Sequence, residues 1–252
     1  MNYDTMQALV MDFLREDQDP AGFESLACSL FEFQYARNSG YRAYSDALGR
    51  TPATISSWQE IPALPADAFK CTPPPFCGNT DRATCCFLSS GTTGESRSRH
   101  YFRELDTYRT SILSGWREAG LPALTRTAFI SRPPGSHPDS SLMFMLETLA
   151  GTSATAATWL LGQDGAPSYP NLGRAPVILF GTTLNLLDYL LQAPAGFSLP
   201  EGSWVFQTGG LKGLTRDTSY DELSKHINRA GIRDDHIINE YGMTELSLSL
   251  IH

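Results

Sequence analysis

The stretch Val177-Ile-Leu-Phe-Gly-Thr-Thr-Leu-Asn-Leu-Leu-Asp-Tyr-Leu-Leu191 decides the fold class. Its first four residues form a continuous apolar run, which is typical of a strand that is buried on both faces. The leucines after Thr183 recur at helical spacing and predict a helix over residues 184–191. A buried strand followed directly by a helix is the repeating unit of α/β proteins, in which helices cover a parallel sheet.

The same alternation of apolar strands and amphipathic helices extends along the chain in both directions. Strands are predicted over residues 85–88, 127–131, 177–180, 204–207 and 236–239. Helices are predicted over residues 105–117, 141–149, 184–191 and 220–230. We therefore predict an α/β fold with a mainly parallel sheet covered by helices. Ligands bind such sheets beyond the carboxyl ends of the strands, so a site is expected at those ends.

The first 75 residues follow a different pattern. Apolar side chains recur at helical spacing over residues 6–14 and again over residues 23–35, which predicts two amphipathic helices. Residues 51–75 are rich in proline. Because proline removes backbone donors and keeps the preceding residue extended, this passage is predicted to be a connecting arm. We predict two parts, with the helices and the arm over residues 1–75 packed on an α/β core over residues 76–252.

Composition excludes several classes of function. The 252 residues carry a formal net charge of −8, which argues against nucleic-acid binding because that needs a basic surface. The five cysteines have irregular spacing without a CxxC pair, so neither a zinc site nor a disulfide framework is supported. No basic-then-apolar leader and no run of eighteen apolar residues occur, so we expect no membrane span and a cytoplasmic protein.

A segment rich in glycine and hydroxyl groups directly follows the first predicted strand. It reads Ser89-Ser-Gly-Thr-Thr-Gly-Glu-Ser-Arg-Ser-Arg-His100. Glycines let backbone N–H groups converge, hydroxyls add short donors and arginines add positive charge, a combination that suits a polyphosphate. No Gly-Lys-Ser/Thr follows at the required distance, which disfavours a P-loop kinase or NTPase. Taken alone, the segment also fits an exposed turn.

Three segments, in chain order, resemble signatures of the acyl-adenylate-forming superfamily, which includes acyl-CoA ligases and adenylation domains. Ser90-Gly91-Thr92-Thr93-Gly94 resembles its phosphate-binding loop. Thr208-Gly209-Gly210-Leu-Lys212-Gly stands where these enzymes form one wall of the adenine pocket. Asn239-Glu-Tyr241-Gly242-Met243-Thr244-Glu245 resembles their second signature.

Within that superfamily the chain is similar to the acyl-protein synthetase (LuxE-like) family, most specifically over residues 60–102 and 176–247. The residues that carry this narrower resemblance are Ile61-Pro-Ala-Leu-Pro, Phe69-Lys70, Ser98-Arg99-His100 and Leu179-Phe180-Gly181-Thr182. The segment that begins at Thr208, given above, belongs to them as well. The resemblance implies a ligase that uses ATP and Mg²⁺ to activate a carboxylic acid, fatty or otherwise apolar, as an acyl-adenylate. The acid then passes to a thiol acceptor, which is a protein cysteine, a carrier protein or coenzyme A.

The resemblance also implies roles for individual residues. The implied catalytic residues are Thr92, Thr93, Thr244 and Glu245. Thr92 and Thr93, together with Gly94, are expected to hold the β- and γ-phosphates. Thr244 is expected to hold the α-phosphate and Glu245 to hold Mg²⁺, a hard cation that prefers oxygen ligands. The implied nucleotide-binding residues are Ser89, Ser90, Gly91, Thr92, Thr93, Gly94, Arg99, His100, Gly209, Gly210, Lys212, Tyr241, Gly242, Met243 and Thr244. Tyr241 is expected to pack on adenine, while Gly209 and Gly210 admit the edge of the base.

Several of these assignments have alternatives. Lys212 either faces the ligand or is a solvated turn cation, and Arg99 and His100 either line the phosphate site or belong to an alternating, half-solvated strand. Phe144, Met145, Trp159 and Phe206 are candidates for the acid pocket, although apolar side chains in strands and helices are commonly core residues.

The resemblance implies that the chain is the large N-terminal domain of an adenylate-forming enzyme, without the small mobile C-terminal domain that carries a catalytic lysine. The chain stops a few residues after Glu245. It is expected to be a fragment, a protein that works with a separately encoded partner, or a non-catalytic relative. The alternative to an enzyme is a nucleotide- or acyl-binding module that needs a partner domain.

Overall fold

The computed structural model describes residues 1–16, 19–71, 80–89, 97–209, 220–240 and 242. The chain divides into two compact units, Met1–Ser114 and Gly115–His252. Among the helices of the described residues, none has the length and apolar composition that crossing a lipid bilayer requires. The division predicted at residue 75 stays a prediction.

The first unit begins with three helices, α1 (Tyr3–Arg15), α2 (Pro20–Arg37) and α3 (Ser39–Ala47). Each has a polar N-cap, because the side chains of Asn2, Asp19 and Asn38 accept hydrogen bonds from backbone N–H groups three residues later. The helices predicted over residues 6–14 and 23–35 are confirmed as α1 and α2. Helix α3 was missed, because it is only nine residues long and one of its two buried residues is the polar Ser45.

The proline-rich passage has the expected irregular backbone where the structure describes it. It contains two short 3₁₀ turns, Trp58–Glu60 and Ala66–Lys70, and is otherwise neither helix nor strand. Two tyrosine hydroxyls of α3 hold it: that of Tyr41 donates to the Pro62 carbonyl at 2.8 Å and that of Tyr44 to the Ala63 carbonyl at 3.1 Å.

Strands β1 (Cys85–Leu88) and β2 (Arg99–Phe102) form a two-stranded antiparallel sheet in the first unit. The predicted strand at residues 85–88 is therefore confirmed, but it lies outside the parallel sheet. Phe87 anchors this hairpin, because its buried ring lies 5.3 Å from the ring of Phe102 and 5.8 Å from that of Tyr108. Tyr108 belongs to helix α4 (Asp106–Glu118).

The second unit is built on a five-stranded sheet in which every neighbouring pair is parallel. Its strands are β3 (Thr127–Ile130), β4 (Thr158–Trp159), β5 (Ile178–Thr182), β6 (Trp204–Thr208) and β7 (Ile237–Glu240), in the spatial order β4-β3-β5-β6-β7. The connections contain helices α5 (Ser141–Thr152), α6 (Thr183–Leu191) and α7 (Tyr220–Arg229). The predicted α/β fold with a parallel sheet is confirmed.

Both faces of this sheet are buried, which explains why its strands are continuously apolar. On one face, side chains of β3, β5 and β6 join the buried leucines and isoleucine of α6 and α7 in one cluster. On the other face the ring of Phe180 is stacked on that of Phe129, with centroids 4.8 Å apart, and lies tilted against that of Phe206 at 5.1 Å. Trp116 covers Phe180 and Phe206 at 5.8 and 5.5 Å.

Candidate functional site

The carboxyl ends of the parallel strands bring polar and glycine residues together at one edge of the second unit. Strands β3, β5 and β6 are in register there, with Ile130 beside Gly181 and Thr182 beside Thr208. This edge is where ligands bind in open parallel sheets.

Strands β6 and β7 are neighbours and end together, so two of the signature segments leave the sheet side by side. Gln207 is paired with Asn239 and Thr208 with Glu240. Side chains join the same pairs, because the Gln207 amide donates to the Asn239 carbonyl oxygen and the Thr208 hydroxyl donates to the Glu240 carboxyl. The segments that begin at Thr208 and Asn239 are thus hydrogen-bonded to each other where they leave the sheet.

Thr183 fixes the chain where it leaves β6. This first residue of α6 is buried, and its hydroxyl donates to the Gly209 carbonyl at 2.7 Å and lies 3.3 Å from the Thr208 carbonyl. Gly209 has a φ of 78°, a left-handed conformation that glycine adopts without the penalty other residues incur. The backbone turn after β6 is therefore set by one hydroxyl and one glycine.

Glu240 is a buried carboxyl group at this edge. It is 7% exposed, and burial raises its pKa to about 7, with the hydrogen bond from Thr208 acting in the opposite direction. Gly242 allows the carboxyl to lie against the backbone, since a Cβ at that position would overlap Glu240 Oε1. Any side chain at residue 242 would therefore displace the carboxyl.

The raised pKa predicts that Glu240 makes the folded state less stable as the pH increases. The folded protein holds a proton that the unfolded chain releases, so stability is greatest below the ordinary value of 4.5 and falls as the pH rises to about 7. At about 1.4 kcal/mol per pKa unit, the loss is roughly 3 kcal/mol. We expect Glu240→Gln to abolish this loss, as measured by urea unfolding between pH 5 and pH 8.

Glu201→Gln is the matched control, because Glu201 is an exposed carboxylate of the same unit. That variant should keep the pH dependence of the parent protein. An unchanged pH dependence in Glu240→Gln would show that the Glu240 carboxyl is ionised in the folded state at neutral pH.

Gln207 presents an unused acceptor beside the same pair of strands. Its side-chain oxygen is buried and has no hydrogen-bond partner among the described residues, while its amide nitrogen is engaged by Asn239. A buried acceptor without a donor costs about 1–3 kcal/mol, so a donor group on a bound ligand would be stabilised there.

A pocket of about 440 Å³ opens at the carboxyl ends of β3, β5 and β6. Its apolar lining comes from Ile130, Leu142, Met143, Leu146, Leu161 and Phe206. Its polar lining comes from Ser131, Arg132, His137, Ser140, Thr182, Asn185 and Thr208, with Gly165 and Gly181 completing the wall. The volume lies within the range of small-molecule sites, which combine apolar walls with a few polar groups.

Three predicted residues of the phosphate-binding region lie in the β1–β2 hairpin. Ser89 closes the end of the strand pair, because its N–H donates to the Ser98 carbonyl at 3.1 Å and its hydroxyl accepts from the Ser98 N–H at 2.9 Å. His100 is 5% exposed, with Nε2 2.9 Å from the Ser98 hydroxyl and its ring 5.0 Å from that of Phe69. Arg99, the first residue of β2, is half-buried. Their contact with a nucleotide stays a prediction.

The other predicted residues lie either at the ends of β6 and β7 or outside the part of the chain that the structure describes. Gly209 and Gly242 lie at the ends of β6 and β7, as described above. The remaining predicted residues lie outside the described ones: Ser90, Gly91, Thr92, Thr93, Gly94, Gly210, Lys212, Tyr241, Met243, Thr244 and Glu245. Within the described ranges, no three His, Cys, Asp or Glu side chains form a group that could hold a metal ion.

Of the four apolar residues predicted to form the acid pocket, Phe206 lines the pocket at the ends of β3, β5 and β6. Trp159 stacks on Phe129 with ring centroids 4.7 Å apart and lies outside the lining, as do Phe144 and Met145. Sequence reasoning missed Arg132 and Glu240. Arg132 follows a strand and lies in a proline-rich loop. Its position at the end of a strand is the sequence signal that could have marked it as a candidate site residue.

Comparison with known proteins gives limited matches. No protein-family model and no curated protein matches the chain. The chain is similar to O-succinylbenzoate coenzyme A synthetase (MenE) from Bacillus subtilis, solved in complex with ATP and magnesium ion, with 15% identity and a TM-score of 0.40 over 66% of this chain and 31% of that one.

The chain is also similar to the N-terminal subdomain of Klebsiella oxytoca NpsA. The complex with 3-hydroxyanthranilyl-AMSN matches with 14% identity and a TM-score of 0.37 over 66% of this chain and 40% of that one. A structure in space group C2 matches with 15% identity and a TM-score of 0.39, over 80% of this chain and 46% of that one. The chain spans less than half of each of these three structures, and TM-scores this low carry no argument about its activity.

Proposed function

We propose that this chain is the nucleotide- and acid-binding part of a ligase that activates a carboxylic acid with ATP. The carboxylate oxygen attacks the α-phosphorus of ATP, the new P–O bond gives an acyl-adenylate, and the bond to pyrophosphate breaks. The acyl group then passes to a thiol of a protein cysteine, a carrier protein or coenzyme A. ATP as the reactant and Mg²⁺ as its cofactor fit the predicted cytoplasmic location.

The observation that carries this proposal is the pairing of β6 with β7. Two segments that resemble superfamily signatures begin at Thr208 and Asn239, and both begin at the same edge of the sheet in hydrogen-bonded strands. Convergence of these segments is what binding of one nucleotide requires. The side-chain oxygen of Gln207, which has no donor among the described residues, supports a ligand with a donor group at this edge.

The roles proposed for the signature residues follow from the charges of the reaction. Thr92, Thr93 and Gly94 bind the β- and γ-phosphates and the departing pyrophosphate, and Thr244 binds the α-phosphate. Glu245 holds Mg²⁺, which neutralises charge on the phosphates. These groups act on charge that moves during the reaction, and one such interaction typically contributes ~10²–10³ in rate.

The pocket beside β6 is the proposed acid site. Thr208 lines it and also begins the adenine-wall segment, so an acid in the pocket would lie next to the proposed nucleotide site. The apolar part of the wall supports the expectation of an acid with an apolar body. Part of the wall is polar, however, and this part bears on the identity of the acid.

Two measurements test the proposal. Exchange of labelled pyrophosphate into ATP, with and without a panel of carboxylic acids, is expected to show exchange that depends on the acid. Binding of a non-hydrolysable acyl-adenylate analogue is followed by thermal shift in the same samples.

The second candidate function, a binding module without chemistry, predicts a different result. The analogue would bind, while no acid would support exchange, either with this chain or with the chain extended by a mobile domain. Absence of both binding and exchange would contradict both candidates.

A further inference from the structure

From the pocket lining we infer that the acid carries a second anionic group, which the guanidinium of Arg132 binds. This inference rests on the proposed function and adds the chemical class of the substrate. Arg132 follows β3 by two residues and lines the pocket together with the apolar side chains of Met143 and Phe206. A cation in a cavity whose wall also contains apolar side chains is suited to a ligand with an apolar body and a charged group.

The donors of Arg132 are unused within the described residues. No carboxylate of that part of the chain lies within ion-pair distance of its guanidinium, and no acceptor is hydrogen-bonded to it. Arg126 of the same unit is different, because its guanidinium donates to the carbonyls of Leu172 and Ala175 at 2.6 and 2.5 Å. Arg132 therefore holds a half-buried positive charge with donors available to a ligand.

The loop that follows β4 leaves space for this guanidinium at Gly165. A Cβ on Gly165 would come within 3.2 Å of one terminal nitrogen of Arg132, so glycine lets the side chain lie against the backbone. Gly165 also has a φ of 86°, and its N–H donates to the Gly162 carbonyl at 2.9 Å. The neighbouring carboxylate of Asp164 accepts from the Ala166 N–H at 2.9 Å. The loop thus supports Arg132 without neutralising it.

Helix α5, which supplies Met143 and Leu146 to the pocket, carries one carboxylate. Glu147 of α5 accepts from the Gly135 N–H at 2.9 Å. His137 and Ser140 add polar atoms to the pocket rim. An arginine binds a carboxylate through two parallel hydrogen bonds, which makes a second carboxylate the best match for this rim.

Matched pairs of acids test this inference in the absence of ATP. Octanedioate is compared with octanoate, and terephthalate with 4-methylbenzoate, by saturation-transfer NMR titration of the full chain at pH 8. Hydrogen bonds to charged groups contribute about 1.5–3 kcal/mol, so the dianion of each pair should bind about 10–100-fold more tightly. Arg132→Met should abolish the difference within each pair, and Arg132→Lys should keep part of it.

Arg174→Met is the control, because Arg174 is exposed in the same unit and is expected to leave both affinities unchanged. Circular dichroism checks that each variant is folded. Equal affinity for both members of each pair in the parent protein would overturn the inference. So would an equal loss of affinity for monoacids and diacids in Arg132→Met, since Arg132 would then bind the reacting carboxylate.

Pyrophosphate exchange with the same acids separates this inference from the proposed function. Exchange supported by monoacids alone would overturn the inference and support the proposed function. Selective binding of diacids without exchange for any acid would support Arg132 as the anion-binding residue and contradict adenylation by this chain.

Discussion

Replacing Thr93 or Glu245 by alanine is expected to lower acid-dependent pyrophosphate exchange ~10²–10³-fold with only a small change in melting temperature. The hydroxyl of Thr93 is proposed to bind phosphate oxygens, and the carboxylate of Glu245 to hold Mg²⁺. Both interactions strengthen as charge moves to the departing pyrophosphate, so their loss raises the barrier of the reaction more than it affects folding. Exchange rates and thermal unfolding are measured on the same preparations.

Thr152→Ala and Glu24→Ala are the matched controls. Thr152 ends α5, where its exposed hydroxyl donates to the Thr148 carbonyl at 2.7 Å, and Glu24 is exposed on α2. Both controls should keep the exchange rate of the parent protein. A large fall in melting temperature in Thr93→Ala or Glu245→Ala would instead assign these residues to the stability of the fold.

The second large effect is expected at the centre of the parallel sheet. Phe180 is 0% exposed, and its ring lies 4.8 Å from that of Phe129 and 5.1 Å from that of Phe206, with Trp116 at 5.8 Å. Truncation removes apolar contacts with all three rings and leaves a cavity between neighbouring strands. We expect Phe180→Ala to lower the free energy of unfolding by about 3–5 kcal/mol, measured by urea unfolding with tryptophan fluorescence.

Leu191→Ala provides the comparison, because Leu191 ends α6 in the same unit and is 45% exposed. Its replacement should cost less than about 1 kcal/mol, since nearly half of the residue already contacts water. A cost in Phe180→Ala no greater than that in Leu191→Ala would mean that the stacked rings do not stabilise the sheet.

Most of the parallel sheet could be predicted because burial on both faces leaves a strong signal in the sequence. The predicted strand over residues 177–180 corresponds to β5, Ile178–Thr182, and the strand over residues 204–207 corresponds to β6, Trp204–Thr208. Strand β4, Thr158–Trp159, was missed because two residues are too short for a periodic pattern. The antiparallel pairing of β1 was also missed, since an apolar run does not reveal the direction of its partner.

The candidate site could be predicted only in part. Strand ends mark where segments leave the sheet, so the location of Gly209 and Gly242 follows from the sequence and the fold class together. The pKa of Glu240 depends on its burial and on its contacts with Thr208 and Gly242. Thr208 lies at the end of a different strand and meets Glu240 only in the folded chain. Arg132 was missed for a similar reason, because whether it has an ionic partner among the described residues depends on the three-dimensional surroundings.

The hydrogen-bonded pairing of β6 with β7 has a consequence for changes in chain length. Adjacent strands lie about 4.8 Å apart whatever connects them, so Thr208 and Glu240 stay neighbours if the connection through α7 gains or loses residues. Insertions there would alter the periphery and leave the paired ends of β6 and β7 in place. Versions of this protein with longer or shorter connections can therefore keep the same arrangement of Thr208 and Glu240.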